Sequence, residues 1–426
     1  MQQTDLIVHN AGQLVTCASA GKPKRGADML DVGMIENGAV AIKDGVFVGV
    51  GTSSDILREF RADDVIDAKG RMVCPGFVDP HTHIVYAGDR LNEFELKIKG
   101  AEYLDILAGG GGIISTVRNT RSASVDSLVE QSLARIDKML ACGTTACEIK
   151  TGYGLDTETE LKMLAVIELL HKKHTIDIVP TFLAAHAVPP EFREDPNTYV
   201  ELICSEMLPL AWKWYEQSHF VSTGRQFFVD VFCERNAFDL DQSRRIFETA
   251  VAIGFAVKAH VDQFTNLGGS ATALEFGAAS IDHLDAISYD EIAQLSASET
   301  VGVVIPTENF NAGKTQYADA RKMLDAGCAI AISTDFNPGS APCPSQSMAM
   351  AIACRYQKLL PSEALNAATI NSAFAIGLGA SHGSIEMGKV ADLCVVEADD
   401  YRHIAYEFGI SNIRQVMKDG NIVYGL

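Results

Sequence analysis

A chain of 426 residues is too long for one small core, and 47% hydrophobic with 21% charged residues is an ordinary globular composition that argues against broad disorder. Its 35 Lys and Arg stand against 55 Asp and Glu, a formal net charge of −20. That balance repels phosphate backbones and anionic lipid, so it speaks against nucleic-acid and membrane-surface partners.

The opening MQQTDLIVHN has no basic start leading into an apolar stretch, so no signal peptide is read there. No apolar run approaches the roughly 18 residues of a membrane span. Ten cysteines are scattered singly without a C-x-x-C pair, the pattern of reduced thiols in core positions, Cys147, Cys233 and Cys328 among them. A cytoplasmic protein is expected.

Residues 4 to about 70 alternate short β-rich runs with turn signals, among them the Asp44-Gly45 hairpin. The C-terminal stretch repeats this style in VADLCVVEAD and QVMKDGNIVYG, with Asp419-Gly420 as its turn. Neither end carries enough apolar surface to stand alone, so residues 1–69 and 384–426 are expected to form one small composite β-sandwich.

Between them, over 70–383, eight apolar strand candidates alternate with helical stretches: CPGFVDPHTH, TACEIKTG, DIVPTFLAAH, FVDVFCE, FAVKAH, ASIDHLDA, VGVVIPTE and AIAISTDF. Strands buried on both faces and joined by helices imply a parallel sheet, and eight units over about 310 residues fit a (β/α)8 TIM-type barrel better than an open sheet. Nearly every strand ends in His, Asp, Glu, Lys or Thr, on the face where barrel enzymes place their chemistry.

His81 and His83 close the first strand two residues apart, so both imidazoles face the same way. His260 ends strand five and Asp335 ends strand eight, and a barrel brings these ends to one mouth. Three imidazoles and a carboxylate suit zinc, iron or another divalent ion, and an open position for water would make the site catalytic. Arg90, seven residues past the H-x-H pair, offers a guanidinium that can fork onto a carboxylate. Tyr153 sits between two turn glycines after strand two, and His186 closes strand three. After strand eight, Asn337, the Gly339 backbone and Ser340 offer hydrogen bonds within a Pro-Gly turn.

The order H-x-H on strand one, His260 on five, His283 on six and Asp335 on eight, with the split β-unit and the run PGFVDPHTH, is similar to the amidohydrolase superfamily. Two-metal members carry a lysine on strand four; FVDVFCE has none, so one zinc or iron ion per subunit is expected, and Lys150 on strand two is a poor substitute for that bridge. Deaminase branches place Glu three residues after the strand-five histidine. Here Gln263 stands there, an amide with no titratable proton, which weakens deamination. The strings HTHIVYAGDR, EIKTGYGL, TFLAAHAVP, SIDHL and STDFNPGSAP together resemble the imidazolonepropionase family over almost the whole chain.

That resemblance implies a hydrolase that opens the ring amide of 4-imidazolone-5-propanoate. By it, His81, His83, His260 and Asp335 hold the metal, and His283 and Asp335 are catalytic. Arg90, Tyr153, His186, Gln263, Asn337, Gly339 and Ser340 contact the small-molecule substrate, with Tyr103 assisting at its carboxylate. Another mononuclear amidohydrolase acting on a small carboxylate-bearing cyclic amide or amidine is the nearest alternative, and a barrel that has lost catalysis is the furthest. A homodimer is the working expectation for assembly.

Other features read as structural. Gly109 to Gly112 lacks the Gly-Lys-Ser/Thr of a phosphate loop and reads as a loop near the mouth. His171 and His174, beside two lysines, read as solvated surface, and His9, His219, His382 and His403 show no evident partners.

Overall fold

The computed structural model describes residues 1–100 and 111–425, so Tyr103, Gly109 and Gly110 lie outside the described residues. Eight parallel strands follow one another in sequence order: β1 Phe77–Asp79, β2 Thr144–Lys150, β3 Asp177–Ala185, β4 Phe228–Cys233, β5 Ala256–Val261, β6 Ser280–His283, β7 Val301–Val304 and β8 Ala329–Ile332. Every strand expected between residues 70 and 383 is present. Helices such as Val125–Ala141 and Thr157–Lys173 pack outside, each started by a side-chain cap, Ser124 and Asp156 respectively.

Inside the barrel, successive inward positions change character with height. The lowest layer is apolar, with Val78, Ala146, Val179 and Phe228 packed on Ala373, Ile376 and Leu378 of the C-terminal helical segment, which closes the bottom. Two residues further along the same strands the inward side chains are Glu148, Thr181 and Asp230, and then Lys150. The top is the histidine-rich mouth.

Strands β1 and β8 are the two ends of the hydrogen-bonded path, and side chains close the seam between them. Gln346 Nε2 donates to Val78 O at 2.9 Å and to Ile332 O at 3.1 Å, one carbonyl from each strand. Asp79 accepts from the Ser333 hydroxyl at 2.6 Å and the Thr334 amide at 3.2 Å, and burial pushes its carboxyl up to about 6. Above the seam, the His83 amide donates to Phe336 O at 3.0 Å.

Both chain ends build a second sheet of eight strands. Its path runs Asn421–Tyr424, Ile413–Lys418, Leu393–Val396, Met72–Pro75, Leu6–Val15, Met34–Lys43 and Val46–Thr52, with Asp64–Asp67 paired to Leu6–Val15. Residues from both ends share one apolar cluster, including Leu6, Val8, Val40, Phe47, Leu393 and Met417. Asp177, at the foot of β3, ties barrel to sheet through Lys418 at 2.8 Å and His382 at 2.8 Å.

That latch corrects the reading of several histidines. His382 pairs with Asp177, His219 with Glu168 at 3.2 Å, and His403 with Glu407 at 3.3 Å. His171 and His174 are largely buried, because the end of their helix tucks under neighbouring elements: His171 lies 2.6 Å from His219 and stacks on Phe220, and His174 lies 3.2 Å from Asp137. Lysine neighbours in sequence point away from that interface, which composition alone does not reveal.

All ten cysteines are free, seven of them buried, as expected of reduced core thiols. Among the described residues no helix is long and apolar enough to cross a membrane.

The seam generates a prediction. Gln346→Leu keeps the volume but takes the amide donor from Val78 O and leaves Ile332 O with the Ser372 hydroxyl at 3.3 Å, so at ~1–3 kcal/mol per lost buried partner it should destabilise the protein by about 1–3 kcal/mol. Thermal unfolding would show this as a lowered midpoint; an unchanged midpoint would mean that the seam does not depend on Gln346.

Candidate metal centre

His81 and His83 sit just beyond β1, where the extended chain turns both imidazoles to the axis: their Nε2 atoms are 3.2 Å apart. His260 is the fifth residue of β5, and its Nε2 lies 3.4 Å from that of His83. Asp335 follows β8 and places Oδ1 3.6 Å from His81 Nε2 and 3.5 Å from His83 Nε2. Four ligands about 2.0–2.1 Å from one ion in a tetrahedron stand about 3.3–3.4 Å from each other, and the four observed edges, 3.2 to 3.6 Å, are of that size.

The donor set has the right protonation as well. Burial, reinforced by the charge of Lys150 for His81 and by His186 for His83, holds both imidazoles well below the usual histidine range, in the neutral form that ligates metal. Two of the far nitrogens are already engaged. His81 Nδ1 lies 2.6 Å from Asp282 Oδ2, and His260 Nδ1 lies 2.9 Å from Asp230 Oδ2. These two imidazoles therefore give the Nδ1 proton to a carboxylate and point a bare Nε2 lone pair at the mouth, the arrangement that metal-ligating histidines use, while the buried His83 Nδ1 has no hydrogen-bond partner among the described residues. Bare lone pairs at this spacing repel unless a cation sits among them.

Beneath the histidines lies a closed ionic layer that sequence reading missed. Lys150, fully buried, reaches Asp230 Oδ2 at 2.7 Å, Glu148 Oε2 at 2.8 Å and Asp282 Oδ2 at 3.6 Å. Burial alone would lower its ammonium, yet these three carboxylates outweigh that and hold it above the usual lysine range. Lys258, also fully buried, meets Glu148 Oε1 at 3.0 Å and donates to Pro80 O at 2.8 Å. The signal was present as polar residues at every second position of β2 and β5, Glu148 with Lys150 and Lys258 with His260. In a strand buried on both faces that period marks the barrel interior.

The remaining expected residues surround the same mouth to different degrees. His186 stacks on His83 with centroids 4.9 Å apart and planes 14° apart, and burial pushes it down to about 3. Tyr153 lies 5.5 Å from the His186 ring and 5.9 Å from the His83 ring, and burial raises its phenol. His283 is 5.3 Å from the rings of both His81 and His260, and its buried Nδ1 has no hydrogen-bond partner among the described residues. The Arg90 guanidinium lies against Gly339, where any side chain would collide with it, and its Nε is 3.4 Å from Glu93.

Asn337 spends its polar atoms inside its own turn. Its amide donates to Asp335 O at 2.7 Å and Ser340 Oγ at 2.8 Å, while its carbonyl accepts from the Gly339 and Ser340 amides at 2.8 Å each. Ser340 Oγ in turn lies 3.4 Å from Asp335 Oδ2. Gln263 is half-buried beyond β5. Three residues here, Asp262, His283 and Asp335, hold positive φ of 54°, 84° and 48°, a left-handed backbone that costs non-glycine residues about 1–3 kcal/mol each and clusters at functional sites.

Comparison with known proteins agrees with this geometry. The amidohydrolase family profile matches residues 72–423. An imidazolonepropionase of Chloroflexus aggregans is 52% identical over 423 residues, 99% of each chain. Another, of Herpetosiphon aurantiacus, is 48% identical over 423 residues, 99% of this chain and 98% of the other. The solved structure of E. coli guanine deaminase shares the fold at a TM-score of 0.72 and 16% identity, covering 98% of both chains. By profile and by full-length identity, the chain belongs to the amidohydrolase family and, within it, to the imidazolonepropionases.

Proposed function

We infer that this protein hydrolyses the ring amide of 4-imidazolone-5-propanoate to N-formimidoyl-L-glutamate, with one zinc or iron ion held by His81, His83, His260 and Asp335. The observation that carries the substrate is the 52% identity to an imidazolonepropionase over 99% of both chains. Working boundaries are a barrel unit over 70–383 and a composite unit of 1–69 with 384–426, Met72–Pro75 of the former pairing into the sheet of the latter. The substrate is a small molecule, and we take the assembly to be a cytoplasmic homodimer.

When bound, such an ion supplies Lewis acidity and makes a water nucleophilic near neutral pH. The protein's own groups do the rest. Asp335 takes the proton of the attacking water, for which its second oxygen is steadied by Ser340. His283 faces the ring carbonyl and stabilises the oxyanion through Nδ1 or Nε2. Arg90 receives the propanoate carboxylate, with Tyr153 and His186 walling the ring and Gln263 reading its polar edge. Asn337 builds the turn that presents the Gly339 backbone and Ser340 to the glutamate-like end. Buried in the mouth, the imidazolone exchanges water for these fixed dipoles before the chemistry begins.

Three measurements check this reading. Freshly generated imidazolone propanoate should lose its ultraviolet absorbance, yield formimidoylglutamate, and stop doing so on chelation; inert metal-replete protein would send the search to other small cyclic amides bearing a carboxylate. His283→Ala should lower turnover by ~10²–10³-fold with the metal retained. Loss of stoichiometric metal in that variant would instead make His283 a ligand. Asp230→Asn removes the carboxylate behind His260 and should weaken metal retention ~10–100-fold in a chelator competition, with unchanged retention contradicting the role of that pair.

A further inference from the structure

The turn that presents Tyr153 is tied to a single buried carboxylate. Between β2 and the helix Thr157–Lys173 the chain bends through Gly152, Tyr153, Gly154 and Leu155, with φ of 104° at Gly152 and 56° at Leu155. Backbone bent this way leaves the strand ladder, so its buried polar groups need other partners. The amides find Glu160, in the first turn of that helix and fully buried. Its Oε1 accepts from the Gly154 and Leu155 amides at 2.7 and 2.9 Å, and its Oε2 accepts from the Gly152 amide at 3.1 Å. The Thr151 hydroxyl is a fourth donor. Burial lifts the Glu160 carboxyl above the usual range, and these four hydrogen bonds counter that rise. Four donors around one side chain call for an acceptor that carries no proton, which is an ionised carboxylate.

The carbonyls of the same turn are held from two sides. Arg121 donates through Nε to Gly154 O at 2.8 Å and through Nη2 to Leu155 O at 3.2 Å. Gly152 O lies 3.0 Å from His186 Nδ1. A carbonyl only accepts, so that nitrogen carries a proton, and the turn fixes how the His186 ring faces the mouth. Both glycines follow from these contacts. A Cβ at 154 would stand 2.7 Å from the Glu160 amide nitrogen and 2.9 Å from its Oε1, and one at 152 would stand 2.8 Å from His186 Nδ1. Tyr153 is therefore aimed by a backbone whose amides on either side end on Glu160.

We propose that Glu160 is a positioning residue of this enzyme: it sets the turn whose backbone aims the Tyr153 ring and orients His186 against the substrate. The proposal rests on the reading above, in which those two rings wall the imidazolone. Glu160 spends both oxygens on the turn and takes no part in bond making or proton transfer. Its loss should therefore be felt in substrate binding rather than in the chemical step.

The test compares Glu160→Gln, Tyr153→Ala and the two combined, each metal-replete and assayed beside the unaltered protein. Glutamine keeps the shape of Glu160 but turns a donor toward at least one of the amides, so the turn must shift. KM for imidazolone propanoate should rise about tenfold or more, with kcat within about threefold of the parent and metal content unchanged. In the combined variant, Glu160→Gln should raise KM by less than about threefold over Tyr153→Ala alone, because residues that act through one another do not add. A lowered thermal midpoint with KM unchanged overturns the proposal, since Glu160 is then only a structural anchor. So does a full tenfold addition in the combined variant, which would place its effect outside the Tyr153 turn. If Glu160→Gln fails to fold or to hold metal, Arg121→Met carries the test from the more exposed side, by freeing Gly154 O and Leu155 O. A raised KM with kcat retained then supports the proposal, and an unchanged KM overturns it. Failure of the underlying reading is visible separately, as a Tyr153→Ala variant with an unaltered KM or as an unaltered, metal-loaded protein that does not turn over imidazolone propanoate.

Discussion

The layer of buried charge beneath the mouth is the constraint around which the site is built. Beneath the histidines Glu148, Asp230 and Asp282 stand against Lys150 and Lys258, and Asp335 adds a carboxylate at the level of the Nε2 atoms, all nearly shielded from water. Carboxylates outnumber ammonium groups there, which favours a cation among the Nε2 atoms. Removing one member of such a buried set strands its partners and typically costs ~3–5 kcal/mol, which ties the stability of the barrel to the integrity of its metal centre.

Geometry and electrostatics also divide the work by height. The apolar floor and the closing C-terminal segment keep water out from below, the ionic layer fixes two histidines through their back nitrogens, and only the upper loops face substrate. Those loops are where the backbone departs from regular strand. The left-handed residues Asp262, His283 and Asp335 stand at or within three residues of a strand end, where the chain must turn sharply while still aiming a side chain at the axis. The Ser333 hydroxyl, which accepts from the Asp335 amide at 3.1 Å, holds one of these turns in place.

Much of this was legible before any coordinates. The eight strands, their order and the helices between them follow from the alternation of apolar runs and 3.6-residue periodicity, and the hairpin glycines at both ends mark the second sheet. The H-x-H pair, His260 and Asp335 stood out because each is a ligand type at a strand's C-terminal end. The ionic layer was not read, because Lys150 and Glu148 look like ordinary strand-end charges until closure of the barrel turns them inward. Asp230 is hidden for a related reason: within FVDVFCE its use shows only once the folded barrel sets it beside His260. Partners of His382 and His219 were equally invisible, being set by contacts between elements far apart in the chain.

The most direct test of the account is the number of ions the protein holds. Purified without chelator and measured by elemental mass spectrometry against protein concentration, it should carry one divalent zinc or iron per chain, the number expected of the single donor cluster at His81, His83, His260 and Asp335. Two ions per chain, or full hydrolytic activity in protein stripped of metal, would contradict it.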